Sequence, residues 1–204
     1  MPLQNRVDPF GELFADDSRG HYFGNRGGKF HRDDRTLGSR RYVSRAWICC
    51  LLAFKGRQRD VWGRYYTELF FMDEPTALAA GHRPCFECRR AEATDFAKRF
   101  GGGTRRATAG EMDAALHDER LDGKKKRLHR STLDQLPDGV FVTLSGQDAF
   151  AVKGKRLLRW SPSGYAESIA RPLGISADML TPPSVAQVLA RGYRPHWHPS
   201  ADSL

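Results

Sequence analysis

Two thiols three residues apart, Cys85 and Cys88, carry the most specific chemistry in this sequence. Cys-x2-Cys is the spacing at which two thiolates reach one tetrahedral ion without straining the backbone, so the pair reads as half of a zinc site. The competing reading is two small hydrophobes buried in a turn. The stretch that carries them, Leu78 to Cys88, has Gly81 placed to close a helix in the left-handed conformation and Pro84 placed to stop its continuation. The chain must therefore leave a helix extended and present both sulfurs on one tight knuckle.

Other residues could do chemistry too. His117-Asp118-Glu119 has the His-x-Glu form that accompanies Pro-Cys-x2-Cys in zinc deaminases, where the Glu shuttles protons for a zinc-bound water. Here it follows the thiol pair instead of preceding it, and a surface position serves Glu119 equally well. His31 with Asp33 and Asp34 offers the imidazole and carboxylates of a metal-dependent nuclease, although salt bridges to Arg32 and Arg35 would occupy the same acids. His82, His129, His196 and His198 stand in basic surroundings where they could touch phosphate or act as ordinary surface and capping residues. No Gly-x-Ser-x-Gly, Walker loop or dinucleotide fingerprint is present.

The balance of charge points to a polyanionic partner. In 204 residues, 33 Lys and Arg oppose 24 Asp and Glu, for a net charge of +9, and such an excess draws a protein toward nucleic acid. It is concentrated in Arg26 to Arg45, around the knuckle, and in Lys124-Lys125-Lys126-Arg127 with Arg130. A charge run can be merely a solvated face, but three runs, one hugging the thiols, favour DNA. The expected phosphate contacts are Arg26, Lys29, Arg32, Arg83, Arg89, Arg90, Lys125 and Arg127. No run approaches the roughly 18 apolar residues of a membrane span, and the first residues lack the apolar stretch of a signal peptide. Cytoplasmic location with no membrane partner is expected, and four Cys in this arrangement suit a reducing compartment.

The elements that must position these residues read as α+β. The first 45 residues are Gly- and Arg-rich loops with short extended pieces, and Phe23 to His31 reads as a turn between two strand fragments. The dense apolar run Ala46 to Phe54 predicts a strand buried on both faces, paired as a hairpin with Tyr65 to Met72. Helices are expected from Pro75 to Ala80, Ala91 to Phe100, Glu111 to Leu121 and Ser184 to Ala190. Val140 to Leu144 and Ala149 to Val152 alternate as a second hairpin, with Leu157 to Trp160 as a third strand. Leu78-Ala-Ala-Gly-His-Arg-Pro-Cys85 and Leu189-Ala-Arg-Gly-Tyr-Arg-Pro-His196 match in register at Leu, Ala, Gly, Arg and Pro. This predicts two small related lobes, each a hairpin with packed helices, over residues 1–103 and 104–204. The second copy is degenerate, with His196 where the first has Cys85; a merely shared helix-stop signature is the alternative.

The stretch Tyr66-Thr-Glu-Leu-Phe-Phe71, with Glu74-Pro-Thr-Ala-Leu-Ala-Ala-Gly-His-Arg-Pro-Cys-Phe-Glu-Cys88, resembles the zinc-binding domain of the Ada DNA-repair protein and its nuclease-fused relatives over residues 22–90. That resemblance implies a zinc ion, a role in DNA repair or processing, and an upstream ligand pair whose first position falls on His31. Arg35 stands where the second upstream ligand belongs, and Asp34 is the reserve there. In the repair protein the first upstream Cys accepts a methyl group, a role that an imidazole at His31 cannot take. The resemblance thus implies a shell of His31, Cys85, Cys88 and one of Cys49 and Cys50, since successive strand residues face opposite sides. A zinc-containing nucleic-acid-binding protein is expected, and a metal-dependent enzyme on nucleic acid or nucleotide is the alternative.

Overall fold

The computed structural model describes residues 1–58 and 60–204. The first half builds six short strands: β1 (Arg6–Val7), β2 (Leu13–Phe14), β3 (Tyr22–Asn25), β4 (Ile48–Leu51), β5 (Leu69–Phe71) and β6 (Arg83–Pro84). Helix α1 (Glu74–Ala79) lies between β5 and β6, and α2 (Arg90–Phe100) and α3 (Ala109–Arg120) follow. The remainder comprises β7 (Leu121–Asp122), β8 (Lys125–Lys126), β9 (His129–Thr132), β10 (Phe141–Thr143), β11 (Phe150–Lys153), β12 (Arg156–Ser161), β13 (Gly164–Ala170), β14 (Ser176–Met179) and α4 (Pro183–Ala190).

Mixed α and β structure follows the sequence reading, but the first expected hairpin does not form. The sheet order is β2-β1-β5-β3-β4-β6, so β3 lies between β4 and β5 and pairs antiparallel with both. Gly24 permits this insertion. A β-carbon there would sit 2.4 Å from the Ile48 carbonyl oxygen and 2.6 Å from the Phe71 ring, distances that no side chain tolerates. The second hairpin forms as expected: β10 and β11 pair antiparallel within a sheet of order β13-β12-β11-β10-β14-β9.

Helix α1 touches both sheets, through β5 and β10, and α2, α3 and α4 pack on one another. Leu78 of α1 and Phe96 and Ala97 of α2 share an apolar cluster with Met112, Leu116, Val140 and Val185, so the core runs across the expected boundary at residue 103. Capping fixes the helix starts. Asp73 accepts from the Thr76 N–H at 2.9 Å, and Thr108 and Glu111 form a reciprocal capping box on α3.

The two matching stretches share a helix-stop geometry in the backbone. Gly81 donates to the Leu78 carbonyl and His82 to that of Ala77; Gly192 donates to Leu189 and Tyr193 to Val188. Both glycines have positive φ, 85° and 92°. The copies diverge after their Arg-Pro: the first continues through β6 into the knuckle, whereas the second docks on the start of α1. There Tyr193 Oη and His196 N donate to Glu74 at 2.7 and 2.9 Å, and His198 N donates to Asp73 at 3.2 Å.

Candidate metal centre and the basic face beside it

Parallel pairing of β4 with β6 sets the thiols. Ile48 is opposite Arg83 and Cys49 opposite Pro84. Arg83 donates its N–H to the Trp47 carbonyl at 3.0 Å, and Cys85 donates to that of Cys49 at 3.0 Å. Because side chains alternate along a strand, this register aims Cys50 at the knuckle and Cys49 at the opposite face. The Sγ atoms of Cys50, Cys85 and Cys88 lie within 4.8 Å of one another. Zinc–sulfur bonds of about 2.3 Å place tetrahedral sulfurs roughly 3.8 Å apart, so the three fit one ion. Backbone N–H groups reinforce the set: Glu87 donates to Cys85 Sγ and Leu51 to Cys88 Sγ, both at 3.4 Å.

Proton sharing among the three sulfurs polarises them. Contact with Cys85 and Cys88, together with burial, pushes the Cys50 thiol up. The same contact with Cys50, aided by the N–H groups of Cys88 and Glu87, pulls Cys85 down to about 5. Cys88 is lowered chiefly by Cys50 as well. Sulfurs lowered in this way and backed by backbone donors form a soft-ion ligand set, and the thiols lose their protons on binding.

Neither His31 nor Cys49 joins this cluster. Cys49 is wholly buried among Leu69, Phe71 and Ala77; its sulfur accepts from Arg89 Nη1 at 3.6 Å, and burial raises its thiol. His31 stacks on Trp62 with ring centroids 5.0 Å apart, and its Nδ1 lies 2.8 Å from Thr67 Oγ1. Burial lowers its imidazole. It fastens the loop of residues 60–68 to the sheet. Among the described residues no fourth His, Cys, Asp or Glu atom joins the sulfurs. The three instead border a cavity of about 650 Å3 lined also by Arg57, Asp60, Arg64, Tyr65, Tyr66 and Glu68. Glu68 accepts from the Trp62 N–H at 2.7 Å.

The other candidate catalytic residues have separate engagements. Asp33 pairs with Lys29 at 2.6 Å, and Asp34 accepts from the N–H of Thr36 at 2.9 Å. Glu119 accepts from Ser184 N and Oγ at the start of α4, at 2.9 and 2.5 Å. His117 Nδ1 lies 3.2 Å from Arg120 Nη2.

The eight expected phosphate contacts divide into two groups. Arg89 is buried against Glu74 at 2.8 Å, and Arg83 forms a fork with both Asp113 oxygens at 2.8 and 2.9 Å, so both are committed inside the fold. Arg26 is buried beside Trp47. Arg32, Arg90, Lys125 and Arg127 are exposed, and Lys29 is half-buried.

Sequence reasoning did not anticipate that the first and third basic runs meet. Arg26, Arg40 and Arg41 line one cavity of about 430 Å3 with Arg120, Lys124 and Lys126. The signal that could have located it is Trp47, immediately upstream of β4. Its ring lies between the guanidiniums of Arg26 and Arg120, with centroid distances of 3.9 and 3.8 Å. No helix among the described residues is long and apolar enough to cross a membrane. No family model matches this chain, and no curated protein or solved structure matches it.

Proposed function

We propose that this is a metal-containing nucleic-acid-binding protein of DNA repair or processing, with a zinc ion on Cys50, Cys85 and Cys88 and a phosphate-binding face around Trp47. The observation that carries the reading is the convergence on one cavity of basic residues from positions 26–41 and 120–126. A single charge run is commonly a solvated surface; two runs far apart in sequence and gathered on one face make a field that attracts phosphate. The cysteine cavity, in contrast, mixes Arg57 and Arg64 with Asp60, Glu68 and Glu87 and has no such field.

The metal and the basic face meet in β4. Its register with β6 places Cys50 at the knuckle, while Trp47, just before its first residue, holds the two arginines. An ion joining Cys50 to the Cys85–Cys88 knuckle would fix that strand, and so the arginine sandwich. A salt titration of binding to short duplex and single-stranded DNA tests the reading. Affinity falls steeply with salt, and charge reversal at Arg40, Lys124 and Lys125 removes it. Affinity indifferent to salt contradicts the reading.

A second reading, a metal-dependent hydrolytic enzyme on nucleic acid or nucleotide, is favoured by three thiol ligands bordering an open cavity with the buried carboxylate of Glu68 on its wall. Catalytic zinc sites keep a fourth position for water or substrate. Zinc-dependent turnover lost in Glu68→Gln, with DNA binding retained, would favour it over binding alone.

A further inference from the structure

We propose that the cavity walled by Arg26, Tyr42, Trp47, Arg120 and Lys126 is a specific site for a nucleoside phosphomonoester, either a free nucleotide or the phosphorylated end of a strand. The proposal deepens the nucleic-acid reading by naming what enters the basic face, and its chemistry stands without the cysteine cluster.

Two arginines beside Trp47 are buried without an ion-pair partner. Arg26 and Arg120 are each only 1% exposed, yet among the described residues neither forms an ion pair. Their hydrogen bonds go to neutral groups. Arg26 donates to the carbonyls of Gly11 and Arg41 at 2.8 and 3.4 Å and to His82 Nε2 at 3.4 Å. Arg120 donates to the carbonyls of Gly81 and Arg45 at 3.0 and 2.9 Å, and its Nε is buried without a partner. Lys126 Nζ donates to the Ala79 carbonyl. His82, between Trp47 and Phe71, is held neutral by burial and by the two arginines.

Carbonyl dipoles take up most of these donors but do not cancel the charges. The end of α1 contributes at most roughly half an elementary negative charge. The Trp47 quadrupole offsets a small part of each charge. A buried charge without a counter-ion costs far more. Elsewhere the fold neutralises its buried arginines: Arg83 has Asp113 and Arg89 has Glu74. Among the described residues, Arg26 and Arg120 around Trp47 have no such partner, and a cavity lies there. Six cationic side chains and one carboxylate, Glu12, line that space; Asp8, Asp113 and Asp118 act on its cations from outside the lining, and Asp113 is already paired with Arg83.

Size and charge select the ligand. A cavity of about 430 Å3 falls within the range of about 300–1,000 Å3 typical of small-ligand sites, too small for a passing duplex. A phosphodiester carries one negative charge. A phosphomonoester carries about −1.5 to −2 near pH 7 and matches the surplus better. Arg26 and Arg120 supply field from behind, while Arg40, Arg41, Lys124 and Lys126 are placed for direct contact. Phe10, Tyr42 and Val43 complete an apolar wall suited to a base; both Trp47 faces are already covered by guanidinium.

Calorimetry on the full chain tests this with four titrants: a hexanucleotide bearing a 5′-phosphate, the same strand with a 5′-hydroxyl, a nucleoside monophosphate, and inorganic phosphate. The phosphorylated strand or the monophosphate binds at least about tenfold tighter than the hydroxyl strand, and Lys126→Gln and Arg40→Ala each erase that margin. Both substitutions remove unpaired cations and leave the fold intact by circular dichroism. Monophosphate binding as tightly as the phosphorylated strand identifies a free nucleotide as the ligand, and a tighter strand identifies a strand end. Equal binding of the two strands, with no monophosphate binding, overturns the site while leaving the DNA-binding face standing. Monophosphate binding lost in Lys126→Gln, with neither strand bound, keeps the site and overturns the DNA reading. Inorganic phosphate binding as tightly as the monophosphate overturns the base wall.

Discussion

Arg89 Nη2 lies 2.8 Å from Glu74 Oε1, and neither side chain is exposed to solvent. The pair joins the residue just after the cysteine knuckle to the first turn of α1. Glu74 also accepts from Tyr193 Oη and His196 N. One carboxylate thus ties the knuckle, the first helix and the carboxy-terminal copy of the helix-stop motif. Its neutralisation leaves the buried guanidinium only the half-exposed Glu92, 3.7 Å from Arg89 Nε, as counter-charge.

Glu74→Gln should therefore lower unfolding free energy by about 3–5 kcal/mol, read from urea denaturation. Arg89→Met, which strands an anion that still accepts from Tyr193 and His196, should cost less than Glu74→Gln. Equal stability of Glu74→Gln and the parent would show that the pair does not bind the two halves together.

Gly24→Ala should destabilise by about 3 kcal/mol or prevent folding, because the new methyl meets the Ile48 carbonyl and the Phe71 ring. Gly146→Ala is the control. Unlike Gly24 it lies at positive φ, 80°, but nothing occupies the space its β-carbon would take, so it should cost about 1 kcal/mol. Thermal melts of the two variants separate crowding from backbone strain.

Binding of a phosphate group should take up a proton above neutrality. Burial, then Arg26 and Arg120, lowers Lys126 to about 7, with Asp8 opposing. At pH 8 most free Lys126 is neutral, whereas an adjacent phosphate favours the ammonium. Affinity should therefore fall as pH rises through about 7. Calorimetry at pH 8 in buffers of different ionisation enthalpy should show proton uptake, absent in Lys126→Gln. Asp8, which burial raises to about 6, is mostly ionised at that pH and leaves the sign unchanged.

Much of the helical structure was legible in the sequence. The Pro starts at Pro75 and Pro183, the Gly stops at Gly81 and Gly192 and the apolar faces of α2 and α3 act locally, so reading along the chain finds them. Strand order was not legible: β3 reaches its place between β4 and β5 through non-local pairing. The site divided in the same way. Cys85 and Cys88 are neighbours whose spacing announces a shared ion. Choosing Cys50 over Cys49 required the register of β4 on β6, which alternation alone leaves undecided. His31 suited the Ada-like pattern, but Thr67 and Trp62 engage it elsewhere. The arginine sandwich joins residues 26, 47 and 120, and no local pattern brings these together.

Metal content should be measured by elemental analysis on the purified chain and on single substitutions, with cobalt in place of zinc to read sulfur-to-metal charge transfer. One ion per chain is expected in the parent, in Cys49→Ser and in His31→Ala, and loss of the ion in Cys50→Ser, Cys85→Ser and Cys88→Ser. A metal-free parent, or an ion kept by Cys50→Ser and lost from Cys49→Ser, would contradict the three-sulfur centre.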